Sequence, residues 1–174
     1  IARKVGLSAP ACHETLKKLH ARGLVHFRRV SNVHLYKVNP ESYLVRNLFA
    51  RQFEAEAAMP KEVVAVAKRS LVKSPKPGIV SIVLFGSMAR GTGMLGSDLD
   101  LLVVLPSKES LKDIEPRIER LRASLFRRFN LPLSPYIQTV PELRQKYRRK
   151  LPLVREILKD GRTIYGNDIR EVVA

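Results

Sequence analysis

The strongest constraint in this chain is a pair of short apolar runs, each joined directly to a polar motif. Ile79-Val80-Ser81-Ile82-Val83-Leu84-Phe85 runs straight into Gly86-Ser87, and Leu101-Leu102-Val103-Val104-Leu105 is preceded by Asp98-Leu99-Asp100. Each run has the length of a buried strand and falls far short of the ~20 apolar residues that a membrane-spanning helix needs. After the first run, Met88-Ala89-Arg90-Gly91 reads as a short helix or turn. A strand-to-helix junction of this kind aims backbone N–H groups at whatever lies in front of it. Gly86 lets a phosphate approach the backbone, and the Ser87 hydroxyl can add one hydrogen bond. Side chains at i and i+2 of a strand share a face, so Asp98 and Asp100 point the same way with Cα atoms roughly 7 Å apart. Carboxylate oxygens so placed suit a hard cation such as Mg²⁺.

The pattern G-S-x10-D-x-D with a strand on either side resembles the nucleotidyltransferases of the DNA polymerase beta superfamily, and especially the minimal nucleotidyltransferases of prokaryotes. Phe85-Gly86-Ser87-Met88-Ala89-Arg90-Gly91 and Ser97-Asp98-Leu99-Asp100-Leu101-Leu102-Val103 carry the resemblance. It implies that Gly86 and Ser87 contact the triphosphate of an NTP, with Arg90 as a further phosphate candidate. It also implies that Asp98 and Asp100 are the catalytic metal ligands, for Mg²⁺ or Mn²⁺. The implied reaction is attack of a hydroxyl on the α-phosphorus, with pyrophosphate leaving. Active members of this family usually place a third carboxylate on a later strand. Here that strand, Leu131 to Thr139, contains no acid. Glu142 is the nearest carboxylate downstream, and as the third residue after Thr139 it has the position of a capping-box partner.

The resemblance extends over roughly 78 to 166. Leu111, Ile114, Ile118, Leu121, Leu125 and Phe129 make an apolar helical stripe in which Pro116 predicts a late start or a kink, and Ile157 to Gly166 resembles the closing segment of these domains. The basic residues Arg144, Lys146, Arg148, Arg149 and Lys150 read most simply as a solvated helix face, or, together with Arg127 and Arg128, as an extension of a nucleic-acid footprint.

The N-terminal forty residues point to a different task. The chain has 32 Lys and Arg against 16 Asp and Glu, a net charge of +16. Such a field attracts polyanions, nucleic acid above all. Eight of the basic residues and all four histidines fall in the first 40 residues, against one acid, Glu14. IARKVGLS predicts a short helix and a glycine turn, with Ser8 capping a second helix to about Ala21. Cys12, Leu16 and Leu19 form its inward stripe, and Gly23 stops it. Leu24 to Val30 and Val33 to Val38 then predict a hairpin turning at Ser31-Asn32.

This order resembles the winged helix-turn-helix of bacterial and archaeal regulators, truncated by the usual first helix of the three-helix core. In that family the second helix enters the major groove of double-stranded DNA while the wing rests on phosphates. Lys17, Lys18, Arg28, Arg29 and Lys37 are the implied phosphate contacts, with His13 and Glu14 facing bases. By the same analogy, the expected partner subunit is a second copy in a homodimer.

Between the two lies a predicted helical connector, 41 to 75, with Asn39-Pro40 as its cap. Its stripe of Tyr43, Leu44, Leu48, Phe49, Phe53 and Ala57 is expected to be buried on the next domain or a second subunit. Pro60 breaks it, and Val63, Val64, Ala67 and Leu71 carry a second helix up to Ser74-Pro75-Lys76-Pro77-Gly78. A lone cysteine excludes an internal disulfide and is compatible with a reducing cytoplasm. The expected fold class is α+β: a winged helix over 1–40, the connector, and a nucleotidyltransferase fold over 76–174 with a small mixed β-sheet flanked by helices. Two functions follow. One is a DNA-binding nucleotidyltransferase acting on an unknown hydroxyl acceptor. The other is a transcriptional regulator or antitoxin-like DNA-binding protein whose transferase site has degenerated.

Overall fold

The run Leu101 to Leu105 does not alternate apolar with polar, which means that both of its faces must be covered. The computed structural model, which describes residues 1–72, 78–93 and 97–174, bears this out. The chain divides into two compact units, Ile1–Ala58 and Met59–Ala174.

In the first unit, helix α1 is Ala2–Val5 and helix α2 is Ala9–Ala21. The Ser8 side chain accepts from Ala11 N, and Gly23 takes the left-handed conformation (φ 67°) that ends α2. Strands β1, Val25–Val30, and β2, Val33–Val38, pair antiparallel as a hairpin. Cys12 is buried on α2, with Leu16 and Leu19 half-buried beside it in sequence. The hairpin face bearing Phe27, Tyr36 and His34 meets α2: the Phe27 and His20 rings lie 5.8 Å apart, and those of His34 and His13 stack at 5.2 Å.

Asn39 is not a helix cap. Its amide nitrogen donates to Gly23 O (2.8 Å), tying the end of the hairpin to its start, and its oxygen accepts from Glu41 N (3.0 Å) in a turn that precedes the helix. The helix starts after Ser42, whose carbonyl accepts from Arg46 N, and passes through a π-helical turn at Val45–Phe49 into α3, Ala50–Leu71. Pro60 does not break it; α3 is continuous through that residue. Proline costs an interior helix roughly 3 kcal/mol, whereas fully burying each of Val63, Val66 and Leu71 returns about 1.5–3 kcal/mol. All three are buried. The stripe expected to be covered is open in this chain, with Tyr43 78%, Leu48 55% and Phe53 63% exposed.

The second unit is built on a four-stranded mixed sheet of order β5-β4-β3-β6, where β3 is Ser81–Phe85, β4 Leu99–Leu105, β5 Leu133–Thr139 and β6 Arg162–Gly166. β3 runs antiparallel to both β4 and β6, and β4 runs parallel to β5. A parallel pair needs a crossover, supplied here by α5, Leu111–Phe129, which continues through Pro116 without a late start. One sheet face, with Ile82, Leu84, Leu99, Leu101, Val103 and Leu105, packs on Val63, Val66 and Leu71 of α3 and the Ile114-Ile118-Leu121-Leu125 stripe of α5. On the other face, Val83, Leu102 and Val104 are covered by Leu143 of α6 (Val140–Arg148), Val154 and Ile157 of α7 (Pro152–Asp160), and Val172 of α8 (Ile169–Val173). The helix break expected at Ser74 to Pro77 lies outside the described residues. Among the described residues no helix is long and apolar enough to cross a membrane.

Candidate active site

The C-terminal end of β3 and the start of β4 lie side by side because the strands are antiparallel, with Phe85 in register with Asp100. The next residue, Gly86, takes φ 71° and opens the single helical turn α4, Gly86–Ala89. A β-carbon at Gly86 would collide with the Asp100 carboxylate, standing 2.9 Å from its Cγ. Glycine suits this position by its backbone angle, and any β-carbon here would force the Asp100 side chain to move. The Ser87 carbonyl accepts from Thr92 N (3.0 Å) and Gly93 N (3.1 Å), folding the following segment back over the turn.

Asp98, just before β4, is exposed, and Asp100, on β4, is half-buried. Burial pushes the Asp100 carboxyl above the ordinary aspartate range. The negative charge of Asp98 adds to that push, and the Arg90 guanidinium opposes it. The two carboxylates therefore feel each other, and Arg90 is within electrostatic reach of Asp100. Arg90 is also engaged with Asp160 at the end of α7, its Nη1 lying 3.6 Å from Oδ2.

No acid occupies β5. The parallel register sets Ser134 beside Asp100, and its hydroxyl donates to Asp98 Oδ2 at 2.8 Å. Glu142 stands beyond the other end of β5, where it and Thr139 form a complete capping box for α6. Those hydrogen bonds hold its carboxyl below the usual glutamate range, with Lys108 3.6 Å away.

The oxygens of Asp98 and Asp100 suit Mg²⁺ or Mn²⁺. Among the described residues no cluster of three or more His, Cys, Asp or Glu could hold a metal. A two-carboxylate set fits a cation that completes its shell with phosphate and water oxygens, as Mg²⁺ does at phosphate-transfer sites. Sequence reasoning passed over Ser134 and Asp160. Ser134 is a neutral residue in a strand marked only by its lack of an acid, and nothing in the spacing marks Asp160 as a partner of Arg90.

The candidate nucleic-acid residues occupy the first unit. Glu14, Lys17 and Lys18 are exposed on α2 at helical-neighbour spacings. Arg28 pairs in register with Leu35 and His26 with Lys37, so Arg28 and Lys37 share the hairpin face turned away from the aromatic cluster. Arg29 faces the other way and its Nε donates to Ser31 O at 3.0 Å. His13 is stacked on His34. Two members of the basic run after β5 are engaged rather than merely solvated: Arg144 Nε donates to Val172 O, and Lys146 Nζ to the Tyr136 hydroxyl, each at 3.0 Å.

With this geometry in hand, the chain belongs to the nucleotidyltransferase domain family, whose model matches residues 67–164, more than half of its length. Among solved structures it is similar to a toxin-antitoxin crystallised with AMP-PNP, at 18% identity and a TM-score of 0.42, covering 64% of this chain and 76% of that one. It is similar also to a mutant of the toxin-antitoxin MntA-HpeT, at 13% identity and a TM-score of 0.42 over 66% of this chain and 80% of the other. A third is the tri-AMPylated Shewanella oneidensis HEPN toxin in complex with MNT antitoxin, at 12% identity and a TM-score of 0.40 over the same shares. No curated protein matches the chain in sequence.

Proposed function

We propose that the second unit binds an NTP with a divalent cation and transfers its nucleotidyl group to a hydroxyl acceptor, while residues 1–40, a winged helix-turn-helix, bind duplex DNA. The observation that carries the transferase reading is the seating of Gly86 against Asp100 within the family-matched segment. That contact joins the two halves of the motif into one site. Gly86 and Ser87 would receive the phosphates, and Asp98 and Asp100 would hold the cation. When bound, the cation supplies positive charge against the triphosphate and the leaving pyrophosphate. Arg90, whose charge acts on Asp100, would add a phosphate contact. The DNA reading is supported by the basic excess of the first 40 residues and by the outward Arg28 and Lys37.

One observation favours a second reading, a DNA-binding regulator that holds nucleotide without turning it over: the strand position beside Asp100 is filled by Ser134 rather than by an acid. General-base assistance is typically worth ~10²–10⁴-fold. The deciding experiment is titration with ATP, GTP, CTP and UTP, with and without Mg²⁺, following binding and pyrophosphate release beside an Asp98→Ala, Asp100→Ala variant. Metal-dependent binding with release, both lost in the variant, establishes the transferase. Binding without release selects the regulator, and no binding removes both.

A further inference from the structure

We propose that Ser134 is a positioning residue that fixes the carboxylate of Asp98 for cation binding. The role rests on the transferase reading above. Asp98 is exposed and precedes the first residue of β4, so the sheet alone does not hold its side chain. What holds it is the Ser134 hydroxyl, which donates to Oδ2 at 2.8 Å. A carboxylate only accepts, so the serine must be the donor. One lone pair of Asp98 Oδ2 is thereby engaged, which fixes the orientation of the carboxylate while its remaining lone pairs and those of Asp100 stay open to a cation.

The backbone around Ser134 is built to keep the hydroxyl in place. Leu133, Ser134 and Pro135 are in register with Leu99, Asp100 and Leu101, which forces Ser134 onto the Asp100 face. Pro132 accepts from Leu99 N at 2.8 Å, and Pro135 fixes φ one residue further on. Two prolines this close are tolerated because β5 is an edge strand. Ser134 thus resists the swing of Asp98 toward water.

The test is Mn²⁺ affinity of the whole chain, with and without ATP, read by electron paramagnetic resonance for wild type, Ser134→Ala, Ser134→Thr and Asp100→Asn, with circular dichroism as a check of folding. Removing a group that orients a ligand typically weakens metal binding ~10–100-fold. That loss is expected for Ser134→Ala, with near-complete rescue in Ser134→Thr, which restores the hydroxyl. Unchanged affinity in Ser134→Ala, alongside loss in Asp100→Asn, would overturn the role of Ser134 and leave the transferase reading standing. Absence of Mn²⁺ binding by wild type, with ATP present, overturns both.

Discussion

Gly86 lies so close to the Asp100 carboxylate that any β-carbon at this position would collide with it, and it does so at φ 71°. Gly86→Ala therefore meets two penalties at once. A left-handed conformation costs a residue with a side chain roughly 1–2 kcal/mol, and the displaced carboxylate must find a new position. The expected outcome is a fall of ~1–3 kcal/mol in unfolding free energy together with loss of metal-dependent ATP binding. Denaturant unfolding and calorimetric titration of the same variant check both. Stable protein with unaltered binding would show that Asp100 moves aside at no cost.

The capping box at Thr139 and Glu142 is complete but sits at the opposite end of β5 from Asp98. Thr139→Ala should cost ~1 kcal/mol of stability and leave nucleotide binding as it was. The carboxyl of Glu142 is lowered by hydrogen bonds to Thr139 and by Lys108. A lowered folded-state pKa stabilises above the unfolded value, and that contribution disappears as pH falls through the folded one. The stability difference between wild type and Glu142→Gln should therefore shrink on acidification below the ordinary glutamate range. Chemical denaturation at stepped acidic pH measures it; a difference independent of pH refutes it.

Much of the fold around the site was legible in the sequence because the relevant signals are local. An unbroken apolar run predicts a strand covered on both faces, Thr139-x-x-Glu142 predicts a cap, and the stripe of α5 follows its 3.6-residue period, each as observed. What was not legible depends on contacts distant in sequence. The bond from Ser134 to Asp98 spans 36 residues and exists only because β4 and β5 are parallel and in register. Pro60 carries the local signal of a break, but the burial of Val63, Val66 and Leu71 over the turns that follow it outweighs that cost. Asn39 is not the cap because the helix starts only after Ser42, while its Nδ2 is held by Gly23, 16 residues earlier.

Arg90 is shared between Asp160, 3.6 Å away, and the site around Asp100. The pair with Asp160 is partly exposed, 46% at Arg90 and 28% at Asp160, so its loss should change stability by under ~1 kcal/mol. A phosphate contact would have a larger effect on binding, because charge-assisted hydrogen bonds are worth ~1.5–3 kcal/mol. Arg90→Ala should therefore weaken ATP by about tenfold or more, while Asp160→Asn, which releases the guanidinium, should leave it equal or tighter. Isothermal titration of both variants decides. Equal weakening in the two would mean that Arg90 acts only by anchoring α7.

Arg28 and Lys37 share one face of the hairpin, whereas Arg29 lies on the other and donates to Ser31 O. If the wing rests on phosphates, each of the first two releases condensed counterions on binding, and each contact adds about 0.9 to the slope of log affinity against log salt. Arg28→Ala and Lys37→Ala should each lower that slope by roughly this amount and weaken binding to all duplex sequences alike. Arg29→Ala should change it little, because its Nε is held within the turn. Fluorescence anisotropy of a labelled duplex over a salt series provides the three slopes. A slope unchanged by Arg28→Ala and Lys37→Ala would remove the hairpin from the DNA footprint and leave Lys17 and Lys18 of α2 to carry it.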